Sequence, residues 1–134
     1  MDNQVIIVIG LPASGKSTYV NNTFKDEYII FDDFLQYFYK GDILRHIKKG
    51  DKVCLIDPRL CEKDNFDNII KKIEVITDDI YILLFRNDKE LSIRQSKMRN
   101  DKQKDNLALI RYIEAVSDIY DYSNYDNYNY HIVN

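Results

Sequence analysis

The sequence predicts an α/β domain: a mostly parallel, five-stranded sheet with helices on both faces. Three observations predict it. Short apolar runs alternate with longer segments of helical periodicity along the chain. The stretch Gly10-Leu11-Pro12-Ala13-Ser14-Gly15-Lys16-Ser17 fits G-x-x-x-x-G-K-[ST] and lies between one such run and one such segment, the strand–loop–helix setting of a phosphate-binding loop. Acidic residues directly follow the next two apolar runs, Asp32-Asp33 after one and Asp57 after the other. Ligands bind at the carboxyl ends of parallel strands, so loop and acids are expected on one edge.

Val5-Ile6-Ile7-Val8-Ile9 is continuously apolar, as a strand buried on both faces must be. A helix is expected from about Ser17 to Phe24, then a polar turn at Lys25-Asp26-Glu27. Tyr28-Ile29-Ile30-Phe31 reads as the second strand, ending at Asp32-Asp33. Phe34 to about Lys48 reads as helical, interrupted near Gly41-Asp42. Its aromatics Phe34, Tyr37, Phe38 and Tyr39 are assigned to the core rather than to stacking an acceptor base. After the turn Gly50-Asp51, Val53-Cys54-Leu55-Ile56 is the third strand, and Pro58 bars its continuation. Glu62 to Ile76 puts Phe66, Ile69, Ile70, Ile73 and Ile76 on one helical face. Ile80–Phe85 is the fourth strand, Asp88 to about Met98 a basic helix, and 100–104 a polar stretch. Leu107 to about Tyr120 repeats Ile110, Ile113 and Val116 at helical spacing, and Tyr128, Tyr130 and Ile132 alternate as a short fifth strand does.

The 134 residues amount to one domain, with no repeat or boundary inside 1–134. A net charge of −3 does not make the whole surface attractive to nucleic acid, so any anion site is local. Cys54 lies in an apolar run, where a small buried thiol is the simple reading, and two cysteines make no disulfide framework. The Val5–Ile9 run is too short to span a bilayer and charges interrupt the rest. A cytoplasmic protein without membrane association is expected.

The motif assigns Gly10, Pro12, Ala13, Ser14, Gly15, Lys16, Ser17 and Thr18 to nucleotide binding. Its glycines allow the tight turn that converges backbone N–H groups on phosphate oxygens, and the following helix points its positive end there. Lys16 is expected at the β- and γ-phosphates of a nucleoside triphosphate, taken to be ATP, and Ser17 on Mg²⁺. Asp32 is the candidate general base for an attacking hydroxyl, and Asp33 the side-chain cap of the next helix beside the acceptor. Asp57, an acid after four apolar residues, is the candidate second metal group, held directly or through water. Arg59 is a candidate contact for a phosphate on the acceptor. The window 86–104 carries seven Lys and Arg against three Asp and Glu. It reads as a lid whose arginines, Arg94 or Arg99, cover the transferring phosphoryl group. The plainer reading is a solvated helix with Glu90–Arg94 and Lys97–Asp101 pairs.

Gly10-x-Pro12-x-Ser14-Gly15-Lys16-Ser17-Thr18, Phe31-Asp32-Asp33-Phe34, Leu55-Ile56-Asp57 and Phe85-Arg86-Asn87-Asp88 leading to Arg94 and Arg99 together resemble the polynucleotide-kinase-like branch of P-loop kinases, which includes zeta-toxin-like proteins. The resemblance implies that Asp32 is the base and that a lid arginine maps to Arg94 or Arg99. An arginine often follows the acidic pair in that branch to hold the acceptor's phosphate; here Phe34-Leu35-Gln36 supplies none.

The leading expectation is a Mg²⁺- and ATP-dependent kinase acting on a hydroxyl, such as the 5′-hydroxyl of a nucleic-acid end. A kinase for a nucleoside, nucleotide or small metabolite is the second. A nucleotide-binding module without phosphoryl transfer is the contrasting class. No N-K-x-D guanine motif appears, since Asn87-Asp88-Lys89-Glu90 has the wrong order.

Overall fold

The computed structural model describes residues 2–99 and 107–133, the Arg99 side chain excepted. Strand β1 (Val5–Ile9) leads through the glycine loop into helix α1 (Lys16–Thr23). Then come β2 (Ile29–Asp32), α2 (Asp42–Lys48), β3 (Val53–Ile56), α3 (Lys63–Glu74), β4 (Ile80–Phe85), α4 (Lys89–Arg99), α5 (Leu107–Ile119) and β5 (Tyr130–Val133). The sheet runs β2-β3-β1-β4-β5 and every neighbouring pair is parallel. Val5 pairs with Val53 on one side and Ile80 on the other. From β1 the chain crosses beyond β3; from β3 it crosses back to β4. The β1/β3 junction is therefore a topological switch point, where such sheets bind ligands.

Alternation divides each strand between two cores. Val5, Ile7, Ile9, Val53, Leu55, Ile82 and Leu84 face α2, α3 and α5 through Ile43, Phe66, Ile69 and Ile113. Ile6, Val8, Cys54, Ile56, Leu83 and Phe85 face α1 through Val20 and Phe24. β1 and β3 are buried along their whole length, which is why their sequences are unbroken apolar runs. β2 and β5, at the edges, are partly exposed.

The segment after β2 departs from the expected long helix. It forms two 3₁₀ turns, Phe34–Gln36 and Phe38–Lys40, and only then α2. Phe34 and Phe38 are both fully buried and meet edge to face at 5.8 Å. Gly41, at φ 93°, ends the second turn in a conformation that disfavours any Cβ. Tyr39 is exposed, so the stripe is core at Phe34 and Phe38 but not throughout.

Candidate phosphate-binding site

The loop geometry follows from its glycines. A Cβ at Gly10 would lie 2.6 Å from the Phe85 Cβ, so only glycine lets the end of β1 pass that close to β4. Ala13 and Gly15 adopt left-handed conformations, φ 61° and 91°, and Tyr19 N donates to Gly15 O to start α1. Lys16 is buried, its Nζ donating to Leu11 O at 2.6 Å and Ser14 Oγ at 3.3 Å. Burial lowers its pKa to about 8, against the opposing pull of Cys61, Asp32, Asp57 and Asp33. A cleft of about 750 Å³ opens over the loop from Ala13 to Tyr19. Phe85, Gln95, Met98 and Val133 complete its wall.

The Ser17 hydroxyl donates to Asp32 Oδ2 at 2.6 Å. The carboxylate beside the motif's serine is thus the one at the end of β2. Its other oxygen accepts from Asp33 N at 2.9 Å, and the Tyr37 hydroxyl donates to the Asp32 carbonyl at 3.2 Å. Asp33 has φ 50° and makes no side-chain cap. The expected cap is supplied by Asp57 Oδ2, which accepts from Leu35 N at 3.1 Å.

That contact is part of a larger departure. Asp57 is fully buried. Its oxygens accept from Leu35 N, Arg59 N, Arg59 Nε and Arg59 Nη2, the last at 2.7 Å. The sequence expectation puts this carboxylate on the metal, directly or through water; in the structure its oxygens accept from the Arg59 fork and two backbone amides.

Arg94 is exposed on α4, and no ion pair joins it to Glu90 among the described residues. The Arg99 side chain and the rest of the basic window, Lys102 and Lys104 included, lie outside the described residues. The donors present suit a Mg²⁺-nucleotide: the Gly10 cradle, a buried ammonium, and a serine hydroxyl against a carboxylate. Among the described residues no cluster of three His, Cys, Asp or Glu side chains forms; Mg²⁺ in phosphoryl-transfer sites characteristically takes one or two carboxylates plus phosphate and water. Sequence reasoning did not single out Tyr19, Phe85, Gln95, Met98 or Val133 as cleft residues. Gln95 and Met98 stand three apart on α4, a spacing that puts them on one face; Val133 gave no signal. Cys61, counted with Cys54 as making no disulfide framework, was given no place at the loop. It accepts from the Gly10 amide beneath the loop, and burial pushes its thiol up to about 12.

No protein-family model matches the chain. It is 36% identical over 136 residues to the uncharacterized protein R277 of Acanthamoeba polyphaga mimivirus, covering 98% of this chain and 96% of that one. Among solved structures, a gluconokinase from Sinorhizobium meliloti 1021 matches with a TM-score of 0.59 at 10% identity, over 98% of this chain and 83% of the other. Deoxyadenosine kinase from M. mycoides with bound dCTP gives 0.48 at 13% identity, over 97% and 89%. The gluconokinase match carries the fold: the five-stranded parallel sheet is that of P-loop kinases. No helix among the described residues is long and apolar enough to cross a membrane.

Proposed function

The chain belongs to the family of mimivirus protein R277, and from its P-loop kinase fold we propose that it is a phosphotransferase moving the γ-phosphate of ATP to a hydroxyl, with 1–134 as one catalytic unit. The observation that carries this reading is the 2.6 Å hydrogen bond from Ser17 to Asp32. It sets a carboxylate from β2 against the residue that follows the phosphate-binding lysine. Mg²⁺ would neutralise charge on the β- and γ-phosphates. Backbone amides of the loop and Lys16 bind the phosphates, and Lys16 leaves Leu11 O to do so. Ser17 would hold the Mg²⁺. Asp32 also orients the acceptor hydroxyl and takes its proton as the acceptor oxygen attacks the γ-phosphorus. The bond to the bridging oxygen breaks and ADP leaves with the electron pair. Arg94 or Arg99 offsets charge on the transferring group, and Asp33 and Arg59 stand on the acceptor side. Acceptors in this reading include the 5′-hydroxyl of a nucleic-acid end and the hydroxyl of a nucleoside, nucleotide or small metabolite.

Asp32→Asn tests it. The variant is expected to bind Mg-nucleotide nearly as well, with transfer lowered by roughly 10²-fold or more, the range for loss of a general base. Transfer at the wild-type rate removes Asp32 from the mechanism. Tight nucleotide binding by the wild type, with no acceptor phosphorylated across a broad panel, makes the protein a binding module instead.

A further inference from the structure

Resting on the kinase reading, we propose that Arg59, locked in place by Asp57, binds a single anionic group, phosphate or carboxylate, carried by a small hydroxyl acceptor. Three sets of contacts lead there. The first is the fork itself. Arg59 gives Nε and one Nη2 hydrogen to Asp57. A guanidinium has five N–H donors in a plane, so three remain for an outside partner, including the parallel pair that matches a phosphate or carboxylate edge. The side chain is 37% exposed while its partner carboxylate is fully buried, so the arginine, unlike its partner, is open to solvent.

The second is rigidity. Asp57 caps the 3₁₀ turn Pro58–Cys61 by accepting from Arg59 N. Asn65 Nδ2 donates to Arg59 O at 3.1 Å, and the buried Tyr125 hydroxyl donates to Leu60 O at 2.6 Å. The guanidinium is therefore oriented before any ligand arrives, which removes much of the ordering cost of binding. A buried carboxylate paired with arginine contributes little net stability compared with apolar residues of the same size. A pre-aimed anion binder is a use that apolar residues could not replace.

The third is location and charge. Arg59 is not among the residues lining the cleft over the loop, whose wall beyond the loop and α1 is Phe85, Gln95, Met98 and Val133. It lies instead within electrostatic reach of Asp33, Asp57 and Tyr112, and Lys16 feels Asp32, Asp33 and Asp57. Arg59 thus shares its acidic neighbours Asp33 and Asp57 with Lys16 without forming part of the cleft wall. With Asp57 paired to it and Asp33 in reach, one anionic group is matched by Arg59, whereas a long polyanion meets repulsion.

The experiment uses matched acceptors with the full chain, Mg²⁺ and ATP: a nucleoside 3′-monophosphate against its nucleoside, a six-carbon sugar acid against the corresponding polyol, and oligonucleotides of increasing length. At least one anionic member is expected to exceed its neutral partner tenfold or more in kcat/KM, and which pair responds distinguishes phosphate from carboxylate. Arg59→Gln is expected to raise KM for that acceptor about 30-fold or more and leave the KM for ATP within about twofold. Arg59→Lys restores little, lacking the fork. Asp57→Asn shifts the acceptor KM in the same direction with the ATP KM unchanged, and thermal melts confirm that each variant is folded. Equal use of neutral partners, an unmoved acceptor KM in Arg59→Gln, or a KM that falls more than tenfold with oligonucleotide length overturns the proposal. Calorimetry of the same anionic compounds with protein loaded with a non-hydrolysable ATP analogue separates the two readings. Arg59-dependent binding without any transfer leaves this inference standing and removes the kinase; no transfer and no Arg59-dependent binding removes both.

Discussion

Lys16 carries its charge where burial opposes it, and in the proposed kinase this makes nucleotide binding sensitive to pH. Without nucleotide its pKa is lowered to about 8 by burial. Phosphates placed against Nζ favour the charged form, so the pKa rises on binding. Above pH 8 the free protein has lost the proton that the complex needs, and binding must take one up. Affinity is full below pH 8 and is expected to be about tenfold weaker at pH 9 than at pH 7. Titrating a Mg²⁺-loaded ATP analogue across that range checks it; a flat profile contradicts the assigned role. Gly10 is the other residue on which the loop turns. Gly10→Ala places a Cβ 2.6 Å from the backbone-fixed Phe85 Cβ, and relief requires β1 and β4 to separate. A cost on the order of 1–3 kcal/mol is expected, read by chemical denaturation, together with weaker nucleotide binding because the strand end that aims the loop has moved.

At the scale of the element, α4 decides whether the basic window acts on the phosphates. Its root is fixed. Asn87 Nδ2 donates to Ser117 O and Tyr120 O, and its Oδ1 accepts from Ser117 Oγ at 2.7 Å, tying the end of β4 to α5. Asp88 Oδ1 then accepts from Leu91 N and starts the helix. Ser92 and Ser96 are buried, while Gln95 and Met98 reach the cleft and Arg94 is exposed. Since the helix start is capped independently of Arg94, removing that side chain tests function rather than folding. Arg94→Ala is expected to lower kcat by about 10²- to 10³-fold with little change in KM for ATP, as loss of a transition-state contact does. Steady-state kinetics with kcat unchanged assigns Arg94 to the solvated face.

Across the whole molecule, one hydroxyl ties the strand before the loop to the strand before α4. Tyr120, at the end of α5, is buried and donates to Phe85 O at 2.5 Å, with Ile9 O at 3.4 Å. Ile9 precedes the phosphate loop and Phe85 precedes the root of α4, so α5 fastens both strand ends together. Tyr120→Phe keeps the ring and deletes the bond. A loss of about 1–3 kcal/mol is expected for carbonyls left without that partner, seen as a lower melting temperature, with a raised KM for ATP. Unchanged melting and unchanged KM show that the strand ends hold their spacing without it.

The sequence by itself determined the strands, the helices outside the segment after β2, and the loop. β1 and β3 are legible because strands covered on both faces must be apolar throughout, and α3 because Phe66, Ile69, Ile70 and Ile73 repeat at helical spacing. The phosphate loop is legible because its glycine positions are demanded locally, by close approach at Gly10 and positive φ at Gly15. Tertiary structure alone decided which acid stands where. Asp32 and Asp57 both follow apolar runs, and nothing in the sequence says which side chain each will meet. Only the order β2-β3-β1 and the packing of the turns behind it bring Asp32 to Ser17 and Asp57 to Arg59. The 3₁₀ turns at Phe34–Lys40 were hidden for the same reason. Helical propensity is a local quantity, whereas burying Phe34 and Phe38 against the same core is settled by what surrounds them.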